Sequence, residues 1–199
     1  DFSAMDFLMY LAALKGLPKR QAKEKSLELL ELAGLSSVAK KKIKTFSGGM
    51  KQRLGIAQSL LNNPKVLVMD EPTAGLDPKE RVKFRNLISK LGDGRIVLLS
   101  THIVSDVEYI ADVVLIMKDG MIIHNGSLDE IIKAIEGKVW ECIVDGQTAE
   151  KLMANFPSIN VRKEQNGTFL RLVCSQKPVE GAVNVKASLE DLYLYFCDK

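Results

Sequence analysis

The sequence predicts an α/β protein in which helices come first, a strand–helix–strand unit follows, and a small α+β region ends the chain. Two apolar runs, at residues 66–69 and 96–99, are unbroken by polar residues, which is typical of parallel strands that are buried on both faces. Between them, apolar residues recur at helical spacing over residues 84–91. After Gly137 apolar and polar residues alternate instead, which indicates strands with one solvent-facing side.

The first part of the chain is predicted to be helical. Ser3 and Pro18 are residues that commonly begin helices, and Gly34 follows the end of the second one. Ser47 is expected to cap a third helix, which the Asn-Asn-Pro run at residues 62–64 ends.

The central unit is predicted to be a parallel strand pair joined by a crossover helix. Asp77 is a typical N-cap residue, Pro78 suits the first helical turn, and Glu80 is expected to complete a capping box. The Gly-Asp-Gly run at residues 92–94 ends that helix before the second strand begins. Asp119 and Gly120 together then predict a β-hairpin turn.

The last part of the chain is predicted to be a small α+β region. Ser127 and Ser188 are expected to cap helices, the first of which ends near Ile135. Between these helices we expect strands at residues 139–144, 159–163 and 168–173 and a helix at residues 148–155. The chain is accordingly divided into a helical part at 1–46, a central core at 47–127 and an extension at 128–199.

The composition fits a folded protein that does not itself cross a membrane. Of its 199 residues, 46% are hydrophobic and 27% are charged, a balance that argues against extensive disorder. The longest apolar run, residues 7–14, is far shorter than the roughly 18 residues that a spanning helix needs. The net charge of +3 is too small and too evenly spread to favour a nucleic-acid partner. Cys142, Cys174 and Cys197 form no Cys-x-x-Cys pair, which favours reduced, cytosolic surroundings.

A serine and two glycines stand at the start of the third helix. The first turn of a helix leaves backbone N–H groups unpaired and carries partial positive charge. Ser47 adds a hydroxyl donor, and Gly48 and Gly49 leave the amides open, so the three residues can hold a phosphate group. A plain serine cap is the alternative, and for the tripeptide alone it is the favoured one.

Two acids and a histidine follow the central strands. Asp70 and Glu71 come directly after the first strand, and His102 follows the second. The carboxyl ends of parallel strands lie at one edge of a sheet, where ligands bind. Adjacent side chains point to opposite sides, so one carboxylate can hold hydrated Mg²⁺ while the other polarises a water molecule. The imidazole can contact a terminal phosphate. The alternatives are an acid pair that caps a helix and an ordinary half-buried histidine.

The order and spacing of these residues resemble those of the ATP-binding-cassette (ABC) ATPase family. Residues 46–50, Phe-Ser-Gly-Gly-Met, look like its signature motif, although Leu and Gln are commoner at the two ends. Residues 66–71 look like the Walker B motif, residues 74–77 match the D-loop, and His102 matches the switch histidine. The resemblance covers about residues 1–127.

This resemblance implies the C-terminal part of a P-loop NTPase of the ABC type, with ATP and Mg²⁺ as its ligands. Asp70 would bind Mg²⁺ through water, Glu71 would be the catalytic base, and His102 would hold the γ-phosphate.

Further implied roles lie between subunits. In the family two ATPase subunits sandwich ATP head to tail, so Ser47, Gly48 and Gly49 would contact ATP that the partner holds, with Asp77 in the D-loop. The resemblance also implies a transmembrane permease partner and a cytoplasmic location at the inner face of the cell membrane, while the small net charge indicates that nucleic acid is not a partner.

A P-loop is missing from the sequence. The motif requires Gly, four residues, then Gly-Lys-Ser/Thr, but Gly137 and Lys138 are followed by Val139, and Ile132 stands where the first glycine belongs. In the family the P-loop precedes the matching segment. We therefore expect that the isolated chain hydrolyses no ATP and that its incomplete sheet makes it marginally stable and prone to aggregation.

Three functions fit these observations. The first is the ATPase subunit, or part of one, that powers an ABC exporter. The second is a catalytically silent, truncated ABC protein that contributes only a signature face, which the missing P-loop favours. The third is an ABC ATPase associated with nucleic acid or ribosomes. The third is disfavoured because the sequence has no long coiled-coil heptads, no second cassette and no strong basic stripe.

Overall fold

The computed structural model describes residues 2–156 and 158–197, and the chain divides into two compact units. The first unit ends at His102 and the second begins at Ile103. The ends of the sequence-based ranges 1–46 and 128–199, at Asp1 and at residues 198–199, lie outside the described residues.

The first unit contains four helices and two strands among its described residues. In chain order they are α1 (Ala4–Leu14), α2 (Lys19–Leu32), α3 (Gly48–Ser59), β1 (Val66–Asp70), α4 (Pro78–Leu91) and β2 (Ile96–Ser100). The predicted caps are confirmed, since the side chains of Ser3, Ser47 and Asp77 each accept a hydrogen bond from the backbone N–H three residues later. Glu80 differs from the prediction: it lies in the first turn of α4, but its carboxylate binds Arg53 and Lys83 instead of completing a capping box.

The two strands of the first unit are parallel, as predicted. β1 and β2 pair in register from Val66 opposite Ile96 to Asp70 opposite Ser100. This register brings the carboxyl ends of both strands to the same edge, where Glu71 and His102 follow.

The prediction that both strands are buried on both faces is wrong. Leu67 is buried, but Val68 is 70% exposed and Leu98, directly opposite it, is 51% exposed. An apolar run places hydrophobic side chains on both faces of a strand, yet burial also requires a packed layer on each face. The described residues supply that layer on one face only.

The second unit is built from short helices and antiparallel strands. Its elements are α5 (Val104–Ile110), β3 (Val114–Lys118), β4 (Met121–Gly126), α6 (Leu128–Ile132), β5 (Val139–Val144), α7 (Gly146–Asn155), β6 (Ser158–Glu164), β7 (Gly167–Val173), β8 (Val183–Asn184) and α8 (Leu189–Cys197). The predicted β3–β4 hairpin is confirmed, with Asp119 and Gly120 both at positive φ in its turn. A second, four-stranded sheet has the order β6–β7–β5–β8. Neither α5 nor β8 was predicted.

The hairpin packs with the C-terminal elements. Val114 and Ile116 of β3 share a buried cluster with Val139, Val173 and Leu192. The sequence analysis instead assigns this hairpin to the central range, 47–127. That division rests on the change from continuous to alternating apolar strands, and this change does not show with which residues a hairpin packs.

A half-buried arginine joins α8 to the four-stranded sheet. Arg171 on β7 donates two hydrogen bonds to the fully buried Asp191, of 2.8 and 2.7 Å, and one of 2.7 Å to Glu141. Asp191 also accepts from the backbone N–H of Ser188, 2.7 Å away, and so caps α8. This charged network fixes the position of the last helix.

His124, on β4, and the three cysteines all lie in the second unit. His124 packs its ring 4.4 Å from that of Phe196. Cys142, Cys174 and Cys197 are free, and burial raises the pKa of each thiol. Among the described residues, the helices are all too short or too polar to span a membrane.

Candidate functional site

Glu71 and His102 meet at the carboxyl edge of the parallel strands. The imidazole Nδ1 of His102 lies 2.8 Å from Oε1 of Glu71, and the backbone N–H of His102 donates to the same oxygen at 3.1 Å. Glu71 directly follows β1 and His102 is the second residue after β2, and because the two strands end side by side, the strand register positions both residues. The sequence-based expectation that acid and histidine share one edge matches this geometry.

The backbone at Glu71 adopts an uncommon conformation. Its φ is +44°, in the left-handed region that residues other than glycine seldom occupy. Two backbone hydrogen bonds hold it there: its N–H donates to the carbonyl of Ser100 at 3.0 Å, and its carbonyl accepts from Ala74 at 3.1 Å. Such strain is concentrated at functional sites, because the surrounding structure must hold the residue in place.

One oxygen of Glu71 has no hydrogen-bond partner in the described part of the chain. While Oε1 accepts from His102, Oε2 is buried and unpaired. A buried carboxylate oxygen without a donor has a free acceptor position. A small polar molecule that reached this oxygen could donate a hydrogen bond to it, which is the contact that a general base makes with its substrate.

Ser100 is a residue of this site that sequence reasoning missed. Its hydroxyl donates a hydrogen bond to Oδ1 of Asp70, and its carbonyl accepts from Glu71. The signal was available, since a parallel pairing of the two predicted strands sets Ser100 directly opposite Asp70.

Asp70 is the residue that could hold a cation. It lies exposed at the end of β1, and one carboxylate oxygen is oriented by Ser100. Within the described ranges, no cluster of three or more His, Cys, Asp or Glu residues could enclose a metal ion. Mg²⁺ keeps several of its waters and is commonly held by one or two carboxylates, so a single oriented Asp70 fits Mg²⁺ and not a fully caged metal.

The start of α3 forms a second cluster. The hydroxyl of Ser47 accepts from the N–H of Met50 at 3.3 Å, and Ser47 and Gly48 are exposed. Gly49 is buried, and a Cβ at this position would lie 2.8 Å from Oε2 of Glu80. The exposed helix start at Gly48 is open to an anion, whereas Gly49 is a glycine because Glu80 packs against it.

Asp77 lies beside this second cluster. Its Oδ1 accepts from the N–H of Glu80 at 2.9 Å, so it caps the helix whose first turn contacts Gly49. The structure therefore groups the predicted site residues in two sets. Asp70, Glu71 and His102 lie at the sheet edge, and Ser47, Gly48, Gly49 and Asp77 lie around the starts of α3 and α4.

Comparisons with known proteins identify the family and the fold. The family described as ABC transporter matches residues 5–74. A solved structure, an ATP-binding cassette of an ABC transporter called MJ1267, superposes with a TM-score of 0.60 at 27% identity, covering 68% of this chain and 59% of that one. The fold is that of an ATP-binding cassette, an α/β fold of the P-loop NTPase class.

The curated relatives are described as ATP-binding proteins. The ABC transporter ATP-binding protein YxlF of Bacillus subtilis is 46% identical over 65% of this chain and 44% of its own length. The linearmycin resistance ATP-binding protein LnrL of the same organism is 36% identical over 68% of this chain and 44% of its own. The bacitracin transport ATP-binding protein BcrA of Enterococcus faecalis is 34% identical over 85% of this chain and 54% of its own length.

The chain belongs to the ABC transporter ATP-binding protein family. It spans about half the length of these curated relatives.

Proposed function

We propose that this chain is the C-terminal part of the ATPase subunit of an ABC exporter and that it hydrolyses ATP only together with a P-loop. Glu71 accepts the proton of the attacking water, and His102 holds the γ-phosphate. The observation that carries this proposal is the Glu71–His102 contact of 2.8 Å at the carboxyl edge of the parallel strands. It joins a base and a phosphate-binding group at the place where α/β proteins bind ligands.

The remaining site residues take complementary roles in this proposal. Asp70 binds Mg²⁺ through water, and the ion supplies charge neutralisation for the phosphates. Ser47 and Gly48 offer their donors to ATP held by a second subunit in a head-to-tail dimer, supported by their exposure at the start of α3. Gly49 supplies a further amide, and Asp77 lies in the loop that faces the partner.

The partners follow from the same proposal. The ATPase subunits form a dimer, bind a transmembrane permease subunit, and lie at the cytoplasmic face of the cell membrane. Relatives named for linearmycin resistance and bacitracin transport support a role in resistance or transport. Nucleic acid is not a partner, in keeping with the net charge of only +3.

The test compares steady-state ATP turnover by the full-length subunit that contains this chain with that of its Glu71→Gln variant. Glutamine keeps the shape of the side chain but cannot accept a proton at neutral pH, so we expect turnover to fall by about 10²- to 10³-fold while ATP still binds. Glu24→Gln, on the exposed side of α2, is the control and should turn over normally. Normal turnover by Glu71→Gln would refute the proposal.

A second candidate is a catalytically silent protein that supplies only a signature face. This candidate requires that the Gly-x₄-Gly-Lys-Ser/Thr pattern, which the 199 residues do not contain, is also absent from the rest of the protein. The coding sequence upstream of Asp1 discriminates between the two. An in-frame P-loop there supports the ATPase, whereas a start codon next to Asp1 supports the silent protein.

A further inference from the structure

A buried ion pair links two helices of the first unit. Nη2 of Arg53 on α3 lies 2.9 Å from Oε2 of Glu80 on α4, and Arg53 is only 8% exposed. Nη1 of Arg53 also donates to the carbonyl of Ala33, at the end of α2, over 2.9 Å. One guanidinium therefore joins three helices, a task that suits its fixed fork of donors.

The carboxylate in this pair supports the signature glycine. Glu80 packs so closely under Gly49 that an added Cβ would lie 2.8 Å from Oε2 and 3.1 Å from Cγ. Glu80 also interacts with Lys83, whose Nζ lies 2.6 Å from the other carboxylate oxygen. The hydrogen bond from Lys83 and the charge of Arg53 lower the pKa of Glu80 despite its burial, so the carboxylate stays charged at neutral pH.

A third side chain ties the same helix to the D-loop segment. Nε2 of Gln52 donates to the carbonyl of Ala74 over 3.3 Å. Gln52 and Arg53 are adjacent on α3, and both reach toward residues 74–80. We call the side chains of Gln52, Arg53 and Glu80 the α3 clamp.

We propose that the α3 clamp positions the start of the signature helix, so that Arg53 and Glu80 are positioning residues for the ATP contact made by Ser47 and Gly48. This inference rests on the proposed function. Donors at a helix start are useful to a ligand only when they are held within about 0.5 Å of the productive position. The clamp supplies this rigidity, and it makes the start of α3 and the segment around Asp77 move as one body.

The first experiment uses the isolated chain and requires no ATP. Hydrogen exchange of the Met50 and Lys51 amides is measured in Gly49→Ala, Glu80→Ala and the double variant. Each single change should raise exchange about tenfold. An alanine side chain at position 80 has no Cγ or carboxylate to collide with the new methyl group and keeps only the milder contact of its Cβ, at 3.2 Å. The double variant should therefore exchange more slowly than the product of the single effects predicts.

Two comparisons decide the outcome of the exchange experiment. Lys83→Gln leaves the Arg53–Glu80 contact in place, so it should change exchange less than about twofold. If the effects of Gly49→Ala and Glu80→Ala on the exchange rate simply multiply in the double variant, the proposal of the α3 clamp is overturned. If Glu80→Ala fails to fold, Glu80→Gln serves for the single change alone: it keeps the size of the side chain but loses the charge that pairs with Arg53, so it should still raise exchange.

The second experiment uses ATP turnover by the full-length subunit. Glu80→Gln should raise the KM for ATP about tenfold and alter kcat much less, because the displaced donors bind ATP and take no proton. Arg53→Lys, which keeps the charge, should fall between the wild type and Arg53→Met. An unchanged KM in Glu80→Gln and Arg53→Met would overturn the positioning role. Failure of the proposed function is distinguishable, because it shows as normal turnover in Glu71→Gln while the exchange experiment still judges the clamp.

Discussion

A single carboxylate oxygen of Glu71 holds His102 twice, through the backbone N–H at 3.1 Å and through Nδ1 at 2.8 Å. The histidine therefore depends on Glu71 for the position of both its main chain and its ring. The other oxygen of Glu71 is left for a different partner. One oxygen of the carboxylate therefore positions His102, and the other has a free acceptor position.

We predict that Glu71 and His102 act as a unit. In the full-length subunit, His102→Ala should lower ATP turnover by about 10²- to 10³-fold, as a lost catalytic contact does. The double variant with Glu71→Gln should be little slower than either single variant, because each change already disrupts the shared contact. His124→Ala, which alters the histidine beside Phe196, is the control and should retain turnover. Multiplied effects in the double variant would contradict the prediction.

Acid should weaken the first unit partly through Glu80. Lys83 and Arg53 lower the pKa of this carboxyl from 4.5, so the folded state favours its charged form. The resulting stability is present above pH 4.5 and is lost as the pH falls below it toward the folded-state pKa. Glu80→Gln lacks this contribution. Urea unfolding at about pH 7 and about pH 3 should show a larger difference in unfolding free energy between wild type and variant at the higher pH. An equal difference at both pH values would contradict the predicted role of Glu80.

The local signals in the sequence were sufficient for most helix starts and for the hairpin. Ser3, Ser47 and Asp77 cap helices through hydrogen bonds to residues only three positions away, so the neighbouring residues are sufficient to predict their role. The pairing of Glu71 with His102 was also predictable, because it follows from strand order.

Contacts between distant residues could not be predicted in this way. Arg53 and Glu80 are 27 positions apart, and no periodicity in the sequence indicates that they meet. The capping-box pattern predicts that the carboxylate of Glu80 accepts a hydrogen bond from the backbone of the helix cap. In the structure this carboxylate binds the buried guanidinium of Arg53 instead. The exposure of Val68 and Leu98 was unpredictable for a related reason, since it depends on which layer covers a strand and not on the strand itself.

In the second unit, we predict that Asp191 is essential for stability. Hydrogen bonds to Asp191, the largest influence, and to Glu141 raise the pKa of Arg171, so Asp191→Ala would leave a half-buried charge without its main partner. Losing one member of a buried pair costs about 3–5 kcal/mol, and because Arg171 keeps 20% of its side-chain surface exposed the loss should lie near the lower end of that range. Urea unfolding measures this loss. Glu190→Ala, at the exposed neighbouring position in the same helical turn, should cost less than about 0.5 kcal/mol. Similar costs for the two variants would show that the network contributes little.

The uncovered face of β1 and β2 should make the isolated chain self-associate. Val68 and Leu98 lie opposite each other, with 70% and 51% of their surfaces exposed, on a sheet of only two strands. Exposed apolar strands pair with other chains, so light scattering should rise with protein concentration. Replacing both residues by threonine preserves strand propensity and should slow this rise, with a change in unfolding free energy below about 1 kcal/mol. Leu67→Thr, which alters the buried face of the same strand, should instead destabilise the chain by about 2–4 kcal/mol. If the double threonine variant aggregates as fast as the wild type, another surface drives the association.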